Sequence, residues 1–386
     1  LNALGLARAG VSVVVLEAAP GIVRSPRAMV YHWSVLAGLD RLGVLEEVKA
    51  TGFTKNDYRF QVYKTGEKIE WSLDVLRGHV KHPYNVHLGQ DRLADIALAR
   101  LQALGATVHW NARVKAVQQD GSSVTVVADT PDGERRFEAD WMIGADGARS
   151  AVRSSLGLEF AGTTWEPRFV ATNIRVDLEA HGYARSTLQI DDTWGAIIAK
   201  IDNSNLWRCT YCEKDPALAE STVAERIPAS MRQVLPGVPD YELVQFSPYR
   251  MHQRAADTFR VGRVLLAGDA AHATNPTGGL GLTSGLFDTY VLYEALAAVI
   301  QADAGEEILD RYAEERRRMF LEIASPQASE NFRLLFLSSD PAKLEQRLTV
   351  MRRLASDPDF AREQALFTRQ LETPSLLTGR RTHESA

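Results

Sequence analysis

The stretch Gly262-Arg-Val-Leu-Leu-Ala-Gly-Asp-Ala-Ala-His272 carries the strongest fold signal of this sequence. Residues 263–267 have the apolar composition of a short strand buried in a parallel sheet. Gly268 ends that strand, and because glycine has no side chain, the backbone can approach a ligand closely there. The carboxylate of Asp269 then stands at the end of the strand, where it can accept hydrogen bonds from ribose or ribitol hydroxyl groups.

A glycine-rich loop, Pro276-Thr-Gly-Gly-Leu-Gly-Leu282, comes next and opens a helix predicted over residues 282–300. Its three glycines let the backbone pass close to a flat ring. The N-terminus of the helix points free N–H groups and partial positive charge towards that ring. This arrangement suits a cofactor that becomes anionic at one edge, as reduced flavin does. The alternative is a glycine-rich loop that only caps the helix.

The first residues of the chain predict the second half of a βαβ unit. A helix over residues 1–9 ends at Gly10, and the β-branched run 11–16 predicts a strand buried on both faces. Glu17 then occupies the place of the acidic residue that lies about 20 residues beyond the glycine loop of dinucleotide-binding folds. Counting back from Glu17 places that loop just before residue 1, so the first strand and its phosphate loop are expected to be missing. The alternative is an ordinary strand that ends in an exposed glutamate.

Composition and charge argue against several functional classes. The 386 residues carry a formal net charge of −5 and 2 cysteines, whereas a nucleic-acid-binding domain normally shows a basic face. No apolar run reaches the length of about 18 residues that predicts a membrane span. Cys209 and Cys212 lie on a predicted strand, where an offset of three puts side chains on opposite faces. Neither a metal site nor a disulfide framework is expected, and a cytoplasmic location is the default.

The remaining pattern predicts the organisation of the chain. Helices and parallel-type strands at both ends enclose a β-rich middle, and residues 53–73 predict a hairpin that turns at Thr65-Gly66. The basic cluster Arg316-Arg317-Arg318 follows two glutamates and is interpreted as a solvated helix face. Residues 375–386 are predicted to be disordered. His87, His252 and His272 are interpreted as structural, since nothing in the sequence positions them as bases.

In their order and spacing, these motifs resemble those of the single-component (group A) FAD-dependent aromatic hydroxylases, the flavoprotein monooxygenases typified by 4-hydroxybenzoate hydroxylase. Pro26-Arg27-Ala28, Gly89-Gln90 and Gly144-Ala-Asp-Gly-Ala-Arg-Ser150 are further matching segments, so the resemblance covers nearly the whole chain. It implies an α/β fold with three parts. These parts are a Rossmann-like FAD-binding domain (residues 1–52, 86–160 and 256–305, without its N-terminal strand and glycine loop), an inserted β-sheet substrate domain (53–85 and 161–255) and a C-terminal helical region (306–386).

The resemblance also implies roles for individual residues in holding FAD. Glu17 would bind the adenosine ribose, and Arg27 and Gln90 would lie along the pyrophosphate and ribitol. Asp146 and Gly147 would form the motif linked to both FAD and pyridine-nucleotide use, and Asp269 would hold FAD near the ribitol and pyrophosphate. The residues that would lie against the isoalloxazine are Pro276, Gly279, Gly281 and Leu282.

The implied reaction is hydroxylation of a phenolic or other small aromatic substrate with NAD(P)H and O2 through a flavin C4a-hydroperoxide. The substrate would lie between the flavin and the middle sheet, where Trp194 and Ile197 are candidates. Tyr211 would relay the phenolic proton, Arg208 would hold a carboxylate or nitro group, and Pro276 would border the reacting ring. A shift of one residue in a predicted strand moves each of its side chains to the other face of the sheet. The alternative is therefore that these residues only pack within the sheet or lie on its exposed face.

Two other functions remain open from the sequence. One is an FAD-dependent reductase or dehydrogenase of the same superfamily that inserts no oxygen. The other is a flavin-free binding or scaffold protein, suggested only by the missing loop. The expected partner is a small aromatic molecule of the phenol, nitrophenol or hydroxybenzoate class, with neither nucleic acid nor membrane. The sequence leaves open NADH against NADPH and a monomer against a homodimer.

Overall fold

The fold is described from a computed structural model, which covers residues 1–381. The strands are β1 (Val14–Leu16), β2 (Val30–Tyr31), β3 (Phe53–Lys55), β4 (Asp57–Val62), β5 (Lys68–Ser72), β6 (Asn85–His87), β7 (Thr107–His109), β8 (Arg113–Gln119), β9 (Val124–Thr130), β10 (Gly133–Ala139), β11 (Met142–Gly144), β12 (Phe160–Arg175), β13 (Ser186–Ile190), β14 (Ala196–Lys200), β15 (Leu206–Glu213), β16 (Glu242–Ala256), β17 (Arg260–Val261), β18 (Val264–Leu266) and β19 (His272–Ala273). The helices are α1 (Asn2–Arg8), α2 (Trp33–Arg41), α3 (Leu45–Thr51), α4 (Gln90–Ala103), α5 (Ala151–Ser155), α6 (Val223–Val234), α7 (Leu280–Ile300), α8 (Glu307–Met319), α9 (Ser325–Phe336), α10 (Pro341–Ser356) and α11 (Pro358–Ala365).

The segments predicted to bind the dinucleotide contain short parallel strand pairs, as the α/β prediction requires. β1 pairs with β7, and β11 pairs with β18 so that Gly144 lies opposite Leu266. The prediction that residues 11–16 are buried on both faces is wrong for Val14, whose side chain is 55% exposed. Alternate side chains of a strand point to opposite faces, and here Val11 and Val13 pack against the core while Val14 faces solvent.

The β-rich middle forms one eight-stranded sheet in the order β19-β16-β12-β15-β14-β13-β4-β5. The predicted hairpin is confirmed, because β4 and β5 pair antiparallel and Gly66 in their turn has φ of 71°. The hairpin joins the sheet through parallel pairing of β4 with β13. Segments from two separate parts of the chain therefore build one surface. The residue ranges of the FAD-binding domain, the substrate domain and the C-terminal helical region stay predictions.

The C-terminal helices pack against one face of this sheet. The rings of Phe332 and Phe336 in α9 lie 5.8 and 4.9 Å from that of Phe169 in β12. Leu376 packs against the core, so the predicted disorder of residues 375–386 is wrong there, and residues 382–386 lie outside the described part.

Within residues 1–381, no helix combines the length and apolar character needed to cross a membrane. Over the same range, no three His, Cys, Asp or Glu side chains are grouped as a metal site needs.

Gly162 gives a direct test of the contact between β12 and β16. Its φ is 133°, and a Cβ atom added there would lie 2.1 Å from the backbone oxygen of Gln253. Gly133 is a matched control, since its φ of 104° is also positive but nothing lies within 4 Å of an added Cβ. Each alanine costs on the order of 1–3 kcal/mol of backbone strain, and Gly162→Ala must also push two strands apart.

We therefore expect Gly162→Ala to lower the free energy of unfolding more than Gly133→Ala does, as measured by urea denaturation. Equal losses of stability in the two variants would show that β12 and β16 are not held as closely as described.

Candidate active site

The turn after β18 presents a carboxylate that has no hydrogen-bond partner within the described part of the chain. Gly268 has φ of 60° and begins a 3-10 turn, Gly268–Ala270. Among the described residues, none forms a hydrogen bond or ion pair with Asp269. Desolvation by the surrounding protein raises the pKa of Asp269, against the opposing charges of His272 and Arg27. The side chain of Asp269 is nevertheless exposed, so its oxygens are open to a ligand that brings hydroxyl groups.

A second carboxylate, that of Asp288 in α7, is fully enclosed and holds the same turn. Its Oδ2 accepts the backbone N–H of Gly268 at 3.0 Å and the ring N–H of His272 at 2.6 Å. Its Oδ1 accepts Nε–H of Arg316 at 2.8 Å. Burial alone would raise the pKa of Asp288, but the neighbouring His272 and Arg316 lower it to about 2. The histidine interpreted as structural is thus one donor of a buried polar cluster.

The interpretation of Arg316-Arg317-Arg318 as a solvated face is wrong for its first member. Arg316 is 0% exposed, and Arg317 donates to the backbone oxygen of Ala256 at 3.0 Å. Only Arg318 is exposed, where it pairs with glutamates of its own helix. Successive residues of a helix point about 100° apart because there are 3.6 residues per turn. Three consecutive charges therefore cannot share one face.

The predicted glycine loop brings backbone close to two side chains. Gly278 and Gly279 have φ of 91° and 69°, and Gly279 is the residue before α7. A Cβ atom on Gly278 would lie 2.6 Å from Nδ2 of Asn331, and one on Gly279 would lie 3.0 Å from Nε2 of His32. His32 also hydrogen-bonds the backbone oxygen of Gly278 at 2.8 Å. The loop leaves no room for side chains there. Pro276 begins this loop, and Gly281 and Leu282 lie in the first turn of α7.

The other residues predicted to hold the cofactor lie at the ends of strands and helices. Glu17 directly follows β1, and its Oε1 accepts the N–H of Ala19 at 2.8 Å. Gln90 is the first residue of α4. Asp146 accepts the N–H of Val152 at 3.1 Å and so caps α5, and Gly147 beside it has φ of 82°. Of this group, the structure brings Arg27 into electrostatic reach of Asp269. Their roles towards FAD stay predictions.

The structure separates the two side chains that were predicted to face the substrate. Tyr211 packs with α6 in the core on one face of the large sheet, together with Trp194. Arg208 is three residues away on the same strand and therefore points to the other face, where it donates to Oδ1 of Asn173 at 2.7 Å. The placement of Tyr211 in the pocket with Arg208 is wrong. The cause is strand parity, because a shift of one residue exchanges the faces.

Tyr249 is a tyrosine on the face that carries Arg208, and the sequence alone did not single it out. Tyr249 lies directly opposite Phe169 on β12, and Phe169 lies opposite Cys212 on β15, so all three side chains point to one face of the sheet. Cys212 and Arg208 are four residues apart on β15 and therefore also point to that face. Burial raises the pKa of Tyr249, and the charge of Arg208 acts against that rise. The available signal was the pairing of β12 with β15 and β16, which a single sequence does not reveal.

Arg208 is a buried cation without a carboxylate partner among residues 1–381. Apart from Asn173, it donates to the backbone oxygen of Arg27, and no ion pair to a described carboxylate is formed. Burial is the largest influence on its guanidinium and lowers the pKa of Arg208 to about 10. Removing an ion from water is expensive unless an opposite charge or hydrogen bonds compensate. The position therefore favours an anionic or strongly polar ligand.

A small sheet, in the order β2-β6-β3, places three further basic side chains between the glycine loop and the large sheet. His32, which follows β2, contacts Gly278 of the loop, whereas His87 on β6 contacts the backbone oxygen of Lys200 at 2.7 Å. Lys55 on β3 is 2% exposed and lies 4.1 Å over the ring of Tyr58. Burial lowers the pKa of Lys55 to about 7. Nε2 of His87 is buried and has no partner among the described residues.

Comparisons with known proteins agree with this arrangement. A family model described as an FAD binding domain matches residues 1–325. The chain is 44% identical over 375 residues to the 6-hydroxy-3-succinoylpyridine 3-monooxygenase of Pseudomonas putida, covering 97% of this chain and 95% of that protein. It is 43% identical over 350 residues to the para-nitrophenol 4-monooxygenase of a Pseudomonas species, covering 89% and 86%. The crystal structure of a p-nitrophenol 4-monooxygenase from Pseudomonas putida superposes with a TM-score of 0.92 at 39% identity, over 96% of this chain and 94% of that one.

The unpartnered carboxylate gives the test of this site. Asp269→Ala removes a charge-assisted acceptor worth about 1.5–3 kcal/mol, so FAD affinity should fall roughly tenfold to a hundredfold. The variant should stay folded, since Asp269 forms no hydrogen bond or ion pair with the other described residues. The ratio of flavin absorbance to protein absorbance after purification measures the loss. Asp240→Ala, at an exposed carboxylate, is the control, and equal FAD content in all three proteins would remove Asp269 from the site.

Proposed function

The chain belongs to the FAD binding domain family and is a flavin-dependent aromatic monooxygenase, and on this basis we propose that its substrate is a single hydroxylated aromatic ring with an electron-withdrawing group opposite the hydroxyl. We further propose that oxygen enters at the ring carbon that carries this group. The observation that carries the proposal is the buried guanidinium of Arg208, which has no carboxylate partner among the described residues.

The names of two relatives support this substrate class. In para-nitrophenol 4-monooxygenase, position 4 carries the nitro group and lies opposite the hydroxyl. In 6-hydroxy-3-succinoylpyridine 3-monooxygenase, position 3 carries the acyl group and again lies opposite the hydroxyl. Both names therefore give the same relation between hydroxyl, substituent and oxygenated carbon. The names of these relatives also favour oxygen insertion over the reductase alternative.

The reaction balances with the co-substrates of this enzyme class. For a nitrophenol, one phenol, one O2, one NAD(P)H and one proton give one quinone, one nitrous acid, one NAD(P)+ and one water. The new bond joins oxygen to the ring carbon, and the bond from that carbon to nitrogen breaks. The chemistry that FAD supplies when bound is the transfer of electrons from NAD(P)H to O2. The protein has to bind the ring, orient it and exclude water.

Arg208 and Tyr249 support binding of the polar group of the ring. They lie on the sheet face that also carries Thr210, which is two residues from Arg208 and therefore points the same way. The guanidinium of Arg208 is held by hydrogen bonds from Nε to Asn173 and from Nη1 to the backbone oxygen of Arg27. Its other N–H groups therefore have a fixed direction in which they can donate to a ligand. Such donors suit the planar oxygens of a nitro or carboxylate group.

The basic residues of the small sheet support ionisation of the phenolic hydroxyl. Phenolate is the more electron-rich form of the ring, and a neutral nitrogen base beside the hydroxyl can accept its proton. Burial lowers the pKa of both His32 and His87 and so favours their neutral rings. His32 donates through Nε2 to the backbone oxygen of Gly278, which leaves Nδ1 as an acceptor. Lys55 and His87 add two nitrogen groups on the same face of this sheet, since Lys55 pairs with Asn85 and His87 is two residues further along.

The proposed reaction predicts a specific product balance. With para-nitrophenol, NAD(P)H oxidation should accelerate, and one nitrite should appear for each productive turnover. An unsubstituted phenol carries no nitro group that can leave, so it should release no nitrite. Simultaneous recording of NAD(P)H absorbance and nitrite gives the ratio. NAD(P)H oxidation that is indifferent to every phenol tested would contradict the proposal and favour the reductase.

Arg208 gives the corresponding mutational test. Arg208→Met keeps the length of the side chain and removes its charge, so KM for para-nitrophenol should rise about tenfold to a hundredfold, the loss expected for hydrogen bonds to a charged group. Arg175→Met is the control, because Arg175 lies on the same sheet but is 44% exposed and pairs with Glu242. FAD content is measured in both variants. An unchanged KM at full FAD content would place Arg208 outside the substrate site.

A further inference from the structure

Arg316 joins three separate parts of the chain at one fully buried guanidinium. It lies on α8, outside every segment that carries the cofactor motifs. Nη1 donates to the backbone oxygen of Leu371 at 2.7 Å and to Oγ1 of Thr373 at 3.1 Å. Nη2 donates to the backbone oxygen of Ser284 at 3.2 Å, and Nε completes the set with Asp288 at 2.8 Å. A single side chain thus ties the C-terminal segment to α7.

The contact continues from α7 to the turn that presents Asp269. Arg316 contacts Oδ1 of Asp288, and Oδ2 accepts the backbone N–H of Gly268 and the ring N–H of His272. Gly268 begins the turn, and His272 lies two residues beyond its end. A second residue of α8 acts at the start of the same turn, since the hydroxyl of Tyr312 donates to the backbone oxygen of Leu266 at 2.8 Å. Tyr312 and Arg316 are four residues apart and share one face of the helix.

We propose that Arg316 is a positioning residue for FAD, acting through Asp288 on the turn Gly268–Ala270. The inference concerns cofactor binding, which the family establishes, and it is independent of the substrate proposed above. By the same contacts, residues 371–373 of the C-terminal region help to complete the cofactor site. Arg316 itself need not touch FAD, because its effect passes through the carboxylate of Asp288 and the backbone of Gly268.

The physical reason lies in the burial of both charges. Arg316 and Asp288 are each 0% exposed, so removal of the guanidinium takes away the permanent positive charge beside Asp288 and leaves Oδ1 without the donor that holds it. The carboxyl group can then turn, and Oδ2 no longer keeps its place towards the backbone N–H of Gly268 and the ring of His272. The turn then loses its fixed shape, and Asp269 loses its orientation towards a ligand.

A double-mutant cycle on FAD affinity tests this inference. Apoprotein is prepared from the holoenzyme of the parent, R316M, D288N and the double variant D288N/R316M, and FAD is titrated by the quenching of its fluorescence. Each single variant should raise the Kd for FAD roughly tenfold or more. In the D288N background, R316M should add little, less than about threefold, because residues that act through one another are not additive. The arginine two positions along the same run, R318M, is the matched control and should leave the Kd unchanged.

Two further measurements separate positioning from mere stability. The thermal midpoint of each apoprotein is recorded by circular dichroism, and the inference requires that the Kd change in variants whose apoprotein still melts cooperatively. If R316M does not fold, R316K takes its place in the same cycle, since lysine keeps the charge but lacks the fork that reaches both Asp288 and Leu371. The proposal would be overturned if the double variant raised the Kd for FAD by the product of the two single-variant factors. A lowered midpoint with an unchanged Kd would overturn it as well.

Discussion

The carboxylate of Asp288 is the constraint on which the geometry of the site depends. It receives hydrogen bonds from the backbone of Gly268, the ring of His272 and the guanidinium of Arg316, so three segments distant in sequence meet at one group. A buried pair of this kind adds little net stability, yet breaking it costs about 3–5 kcal/mol because one charge is left alone. The cluster therefore specifies a single arrangement of the turn more than it stabilises the fold.

In the proposed substrate site, side chains of two sheets and one loop surround the bound ring. The small sheet faces the glycine loop through His32 and the large sheet through His87. The large sheet contributes Arg208 from the face against which the C-terminal helices pack. Polar groups in such a dry environment act more strongly than they do in water. Under the proposed function, this arrangement would hold a charged ring and exclude water from it.

Local sequence predicts the parts of this site that depend on backbone shape, and it misses those that depend on pairing. Gly268, Gly278 and Gly279 could be identified because positive φ and close approach require glycine. The choice between Tyr211 and Tyr249 depends on strand parity and on the register of three strands, which one sequence does not specify. Arg316 was misinterpreted because its partner Asp288 lies on another helix, and a run of charges looks solvated until the packing of that helix is known.

Incorporation of labelled oxygen tests the central claim most directly. Turnover of para-nitrophenol is carried out under oxygen-18 gas, and the quinone is reduced at once to hydroquinone so that its oxygen cannot exchange with water. The account predicts a product in which one of the two ring oxygens carries the label, in an amount equal to the nitrite released. A product without label, or NAD(P)H consumed with no change in the mass of the aromatic compound, would contradict it.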